Sequence, residues 1–156
     1  MFFNLESSFE LFLFNAVVYA ILQILRIVID HYLPTSHTDL DKKHFQSFAW
    51  EENGNFYDRH FKVSKWKDYL PSIDFTAGFS KRHIIANNSA YFEQFIREMN
   101  MAESHHVRSI ISTLIFFIWN PLNMFLLVLT LSILVQAPFI IIQRYNRPRM
   151  HDLQKL

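Results

Sequence analysis

Apolar positions concentrate in runs toward the two ends of the chain, and the centre is polar and aromatic. Leu11 to Ile29 (LFLFNAVVYAILQILRIVI) is 19 residues long, with Asn15, Gln23 and Arg26 as its polar members. At about 1.5 Å per residue such a helix just crosses a hydrocarbon core of roughly 30 Å. Arg26 lies one turn from the C-terminal end, where a long stem reaches the headgroups. Leu122 to Ile142 (LNMFLLVLTLSILVQAPFIII) is 21 residues without a charge and predicts a second spanning helix, within which Pro138 is tolerated. Between them Val107 to Trp119 (VRSIISTLIFFIW) offers 13 residues, roughly 20 Å of helix. It stops at Asn120-Pro121, where Asn120 suits an N-cap and Pro121 the first helical position. To cross, it must take in the turn Glu103-Ser104-His105-His106, or form a shallow re-entrant hairpin. Either arrangement brings ionisable side chains to the membrane boundary.

The expected architecture is therefore a mainly α, small polytopic membrane protein. It is one membrane domain over 1–156, with transmembrane helices over 11–29, 104–119 and 121–142. A cytoplasmic interfacial region of mixed α+β structure fills 34–100, and a basic cytoplasmic tail fills 143–156. In the interfacial region FQSFAWEENGNFY carries Asn53-Gly54 between two runs that suit strands, a hairpin signal. FKVSKWKDYL (Phe61 to Leu70) is cationic and aromatic and suits a helix or strand lying on the surface. Ser89 is placed to cap a helix in which Tyr91, Phe92, Phe95, Ile96, Met99 and Ala102 recur at helical spacing. That helix is free to run on into Val107–Trp119.

Charge gives the orientation. Lys and Arg number none before the first span, nine from Lys42 to Arg97 and four after Gln143. An outside N-terminus with three crossings puts all thirteen on the cytoplasmic side, together with the C-terminus. A cleaved secretory signal peptide is the alternative for the first segment, but MFFNLESSFE holds two Glu and no basic residue, against the usual pattern.

Composition removes whole classes of chemistry. The chain has no Cys, which excludes disulfides, thiol nucleophiles and Cys-ligated metals. With two Gly, phosphate-cradling glycine loops are absent, and a net charge of +1 gives no field favouring nucleic acid. There is no GxSxG elbow, no HExxH and no His-x4-Asp.

Three clusters carry candidate chemistry. In the first, Glu98-x4-Glu103-x2-His106, the pair Glu103 and His106 share a helix face. A carboxylate beside an imidazole makes a general base for an alcohol; solvated polar groups at a helix end are the plain alternative. A metal reading of Glu-x-x-His needs a second copy, which the chain lacks, so no metal and no cofactor are called for. The second cluster is QRYNRPR, Gln143 to Arg149. Its arginines fit a stop-transfer cluster, yet Arg144, Tyr145, Asn146 and Arg147 also suit phosphate, carboxylate or anionic headgroup binding. The third is Lys62, Lys65 and Lys67 around Trp66, a basic–aromatic patch for anionic lipid or a donor's phosphates.

Together the pieces FQSFAWEENGNFY, FKVSKWK, the Glu98/Ala102-Glu103/His106 pattern, Phe117 to Asn120 and APFIIIQRYNRPRM resemble the glycosyl-4,4'-diaponeurosporenoate acyltransferases, small bacterial membrane enzymes assigned to the last step of staphyloxanthin synthesis. The likeness covers about Phe45 to Met150, with Met101 where the family tends to have Arg. It implies an acyltransferase of the bacterial cell membrane. A fatty acyl group would pass from a thioester donor to the sugar of a glycosylated carotenoid, or of another glycolipid acceptor. His106 would be the base, oriented by Glu103 or Glu98. Asn120, Arg144 or Arg147 would stabilise the oxyanion or hold donor phosphates. The rival from another class is a non-catalytic membrane protein whose polar helix end and Arg cluster bind anionic lipid or a partner.

Overall fold

The described residues of this computed structural model, 8–32, 43–71 and 88–155, are almost entirely helical. Five α-helices follow in order: α1 (Ser8–Tyr32), α2 (Asn55–Phe61), α3 (Val63–Trp66), α4 (Ser89–Ser112) and α5 (Leu122–Gln154). Short 3-10 turns occupy Lys43–Phe45, Ala49–Gly54, Lys67–Tyr69 and Thr113–Ile118. The beginning of the expected interfacial region (34–42) and its stretch 72–87 lie outside the described residues, as do the first seven residues. The chain forms two compact units, Met1–Leu33 with His105–Ala137 and Pro34–Ser104 with Pro138–Leu156.

The first unit is apolar on its outside. Phe9, Leu13, Val17, Ile21 and Ile24 of α1 are exposed, as are Leu126, Leu131, Leu134 and Val135 of α5. Its buried positions are largely polar: Asn15, Ser109, Thr113, Asn120, Ser132 and Gln136. That inversion is what a hydrocarbon solvent selects, since it penalises exposed polar groups and not exposed leucine. Two helices, within Ser8–Ile29 and Leu122–Gln154, are long and apolar enough to cross a bilayer. The middle apolar segment does not make a third by that measure. Its α-helix ends at Ser112, and Thr113–Ile118 winds as tighter 3-10 turns.

Polar residues of α1 recur every turn, and their partners bind the unit together. The Asn15 and Asn120 carboxamides pair reciprocally, Asn15 Nδ2 donating to Asn120 Oδ1 at 2.6 Å and Asn120 Nδ2 to Asn15 Oδ1 at 3.1 Å. Trp119 Nε1 donates to the same Asn15 oxygen at 3.0 Å. One turn on, Tyr19 meets Gln136 and Ser132; another turn on, the Ser109 hydroxyl donates to Gln23 Oε1 at 2.8 Å. Asn120 was expected to cap α5. Its side chain instead donates back to Phe116 O at 2.9 Å and faces Asn15, because α5 begins at Leu122, beyond its reach as a cap.

Four points refine the expectations for the second unit. No strand occurs among the described residues, so the mixed α+β reading gives way to an all-helical one. The Asn53-Gly54 signal did mark left-handed backbone, but Glu52, Asn53 and Gly54 all have φ between 50° and 88°. A two-residue hairpin turn uses two such residues; three in a row carry the chain round into α2. Gly54 is required there, since a Cβ would stand 2.8 Å from the Tyr145 carbonyl oxygen. The cap of α4 is Asn88 rather than Ser89, its Oδ1 accepting from Tyr91 N at 2.8 Å. The segment expected as a tail is also helical: α5 continues through Pro138 and Pro148 to Gln154.

Replacing Asn15 by Leu strands the Trp119 indole and the Asn120 carboxamide, 1% and 9% exposure at the two Asn showing how little water reaches them. The variant is expected to lose about 1–2 kcal/mol, read as a lower midpoint of unfolding in detergent. Gly54→Ala should cost at least as much, about 1–2 kcal/mol from the left-handed backbone alone, in the same measurement.

Candidate active site

The last turns of α5 place Arg144 and Arg147 three residues apart on one face, both buried. Each guanidinium is tied to carboxylates of the same unit. Arg144 Nε donates to Glu51 Oε1, Nη2 to Glu51 Oε2 at 3.1 Å, and Nη1 to Glu103 Oε1 at 2.8 Å. Arg147 Nη2 donates to Glu103 Oε2. Two acids and two arginines thus form a neutral buried chain, Glu51–Arg144–Glu103–Arg147.

Further donors of the two arginines hold a turn in place. Arg144 Nη1 and Nη2 reach the carbonyls of His44 at 2.9 Å and Gln46 at 3.2 Å, while Arg147 Nη1 reaches Phe45 O at 2.9 Å. Three successive carbonyls of the turn at Lys43–Phe45 and its exit are therefore satisfied by two side chains from α5. Arg144 also lies over the Phe48 ring, 4.8 Å from its centroid, and Arg147 over Phe45 at 5.2 Å.

Glu51 is almost wholly buried, at 1% exposure. Burial pushes its carboxyl up, but the Arg144 guanidinium, the Tyr57 hydroxyl and Phe48 N–H outweigh it and hold the group below the ordinary glutamate range. The Tyr57 hydroxyl is correspondingly raised, by burial first and then by the adjacent negative Glu51, and stays a neutral donor.

The residues singled out from sequence fall into distinct settings. Glu103 is not set beside an imidazole by its described bonds; both its oxygens accept from the arginines. Glu98 is fully buried and lies 3.4 Å from Gln94 Nε2. Tyr145 packs into a core with Tyr57 and Val63, and Asn146 is half-buried. Lys65 is exposed on α3, and the half-buried Trp66 next to it donates its indole N–H to Phe61 O at 2.8 Å. His106 belongs to the first unit, where its Nδ1 lies 2.6 Å from Gln136 Oε1. Asn120 belongs there too, in the pair with Asn15.

Sequence reasoning missed Glu51 and Gln136. The buried arginines were the available signal for Glu51: two guanidiniums out of water need more than one carboxylate. Gln136 was visible as a polar residue within an uncharged apolar run, which in a membrane helix faces the protein interior.

The half-buried His106 among apolar helices and the buried Glu–Arg chain leave the reaction open, and comparison with known proteins identifies the class as an acyltransferase. The profile of the glycosyl-4,4'-diaponeurosporenoate acyltransferase family matches residues 41–155. The chain is 34% identical over 114 residues to the protein of that name from Staphylococcus aureus strain bovine RF122 / ET3-1, covering 72% of this chain and 68% of the relative. It is 32% identical, over the same shares, to those of strains N315 and USA300. The chain belongs to the glycosyl-4,4'-diaponeurosporenoate acyltransferase family. No solved structure matches it.

The Glu51 shift sets a pH dependence. A carboxyl held below its ordinary value of 4.5 contributes stability that is present above 4.5 and lost as pH falls through the lowered value. Glu51→Gln is expected to cost about 2–3 kcal/mol at neutral pH. The gap between variant and wild type should narrow as pH drops below 4.5. Thermal unfolding in detergent across that range reads both effects.

Proposed function

We propose that this enzyme transfers a fatty acyl group from a thioester donor to a sugar hydroxyl of a glycosylated carotenoid acid, at the cytoplasmic side of the bacterial membrane. The family membership carries the reading, since it covers most of the chain and includes every residue used below except those of α1. His106 is the proton acceptor. It removes the proton from the sugar hydroxyl as the oxygen attacks the thioester carbonyl, forming the C–O bond of the new ester. The tetrahedral oxyanion then collapses, the C–S bond breaks, and the proton passes from the imidazolium to the departing thiolate. No acyl-enzyme nucleophile is needed, so transfer is direct.

In this reading α1 and the apolar part of α5 cross the membrane with the N-terminus outside and the C-terminus cytoplasmic. The segment 104–119 is the third crossing. Its 3-10 turns support that placement, because a rise of about 2.0 Å per residue stretches a short segment further than an α-helix does. Glu103, Arg144 and Arg147 act as the frame that holds the turn at Lys43–Phe45, and Glu98 is buried in the same helix as Glu103. Exposed Lys65, with Lys62 and Trp66, meets anionic headgroups or the phosphates of the donor. Met101, where the family tends to have Arg, makes a different glycolipid the second acceptor to try.

The test is mass spectrometry of lipid extracts from a carotenoid-free host expressing the chain and supplied with glycosyl-4,4'-diaponeurosporenoate. The expected result is a product heavier by one acyl chain, reduced about 10²–10⁴-fold in His106→Ala. Full activity in His106→Ala removes the histidine from the base role. No acylated lipid of any kind from the wild type overturns the acyl-transfer reading in favour of lipid or partner binding.

A further inference from the structure

The contacts around His106 define its hydrogen-bonding partner with more detail than the reaction requires. Gln136 is buried, one of the polar groups inside the apolar first unit. Its Oε1 stands 2.6 Å from His106 Nδ1, and its Nε2 donates to the Tyr19 hydroxyl at 2.9 Å. Tyr19 in turn lies 3.4 Å from the buried Ser132 Oγ. The three contacts form a line from α4 through α5 to α1 and back to α5, all within one unit.

A carboxamide has unlike ends. With its NH2 committed to Tyr19, the end facing His106 is an oxygen, which only accepts. Two lone pairs at 2.6 Å repel, so the ring nitrogen there must carry the proton. An unconstrained neutral imidazole favours the other tautomer, with the proton on Nε2, which is useless as a base at that atom. Tyr19 completes the arrangement: its hydroxyl accepts from Gln136 and lies 3.4 Å from Ser132 Oγ.

We infer that Gln136, held by Tyr19, is a positioning residue that fixes His106 as the Nδ1–H tautomer and so makes Nε2 its basic nitrogen. The inference deepens the acyl-transfer reading and rests on it for its catalytic meaning. Its structural content, the tautomer, is independent of that reading. An uncharged orienting group suits this location. A carboxylate in the same place would have to remain ionised inside an apolar helix bundle, whereas a carboxamide orients the ring without a buried charge.

Nitrogen-15 NMR of the full chain in lipid nanodiscs, with labelled histidine and the His106→Ala spectrum for assignment, reads the tautomer directly. The wild type is expected as Nδ1–H above the titration of the ring. Gln136→Met, similar in volume and without the acceptor, is expected to move His106 to the Nε2–H form or a mixture. Gln136→Glu, which still accepts from Nδ1–H, is expected to keep it. In acyl transfer, Gln136→Met should lose about 10–100-fold in kcat with KM within about twofold, and Gln136→Glu should recover part of that loss. A wild-type His106 in the Nε2–H form means the carboxamide is turned the other way and overturns the proposal. So does a Gln136→Met variant whose tautomer is unchanged, or whose defect lies in KM alone. If Gln136→Met fails to fold, the wild-type and Gln136→Glu spectra still decide. Full activity in His106→Ala alongside an Nδ1–H wild type would instead reject the base assignment and leave the tautomer standing.

Discussion

The second unit depends on one interaction: two arginines of α5 neutralised by Glu51 and Glu103 out of reach of water. A buried charge without partners costs several kcal/mol, and a partnered one is stable only when its remaining hydrogens also find acceptors. Here the carbonyls of His44, Phe45 and Gln46 supply them for the terminal nitrogens, and Arg147 Nε is left buried without an acceptor among the described residues. The result ties α5, α4, the turn at Lys43–Phe45 and the turn at Ala49–Gly54 to one set of four side chains. It also explains why Glu52, Asn53 and Gly54 wind left-handed, since that path carries the chain away from Glu51 and brings Gly54 against the Tyr145 carbonyl. The aromatic faces of Phe45 and Phe48 lie over the guanidiniums.

The first unit obeys a different solvent. Its leucines and isoleucines face outward, and its amides and hydroxyls face one another. In a hydrocarbon phase the apolar side chains gain nothing by clustering, so specificity of packing falls to the few polar groups. The Asn15–Asn120 pair, the Tyr19–Gln136–Ser132 set and the Gln23–Ser109 contact are spaced along α1 at successive turns and fix its register. His106 draws its orientation from this same set. The base proposed for acyl transfer is thus supported by the contacts that assemble the helices, and a change in packing there alters chemistry as well as stability.

What the chain determined by itself is the set of properties carried by runs and periods. Two long apolar stretches able to cross a membrane, the long helix through Tyr91 to Ala102 and the left-handed bias of Asn53-Gly54 are local, and so were readable. The motif pieces that carry the family resemblance were equally readable, because residue identity and order suffice for them. Which partner each polar side chain takes was not local. Glu103 and His106 share a helix face in sequence, yet Glu103 bonds to arginines 41 and 44 residues away and His106 to a glutamine 30 residues away. Asn120 stands where a cap is wanted, and a residue 105 positions distant claims its carboxamide. Secondary structure follows from short-range spacing, but a buried donor or acceptor pairs with whatever the fold brings within 3 Å or so, and that choice only the tertiary structure made.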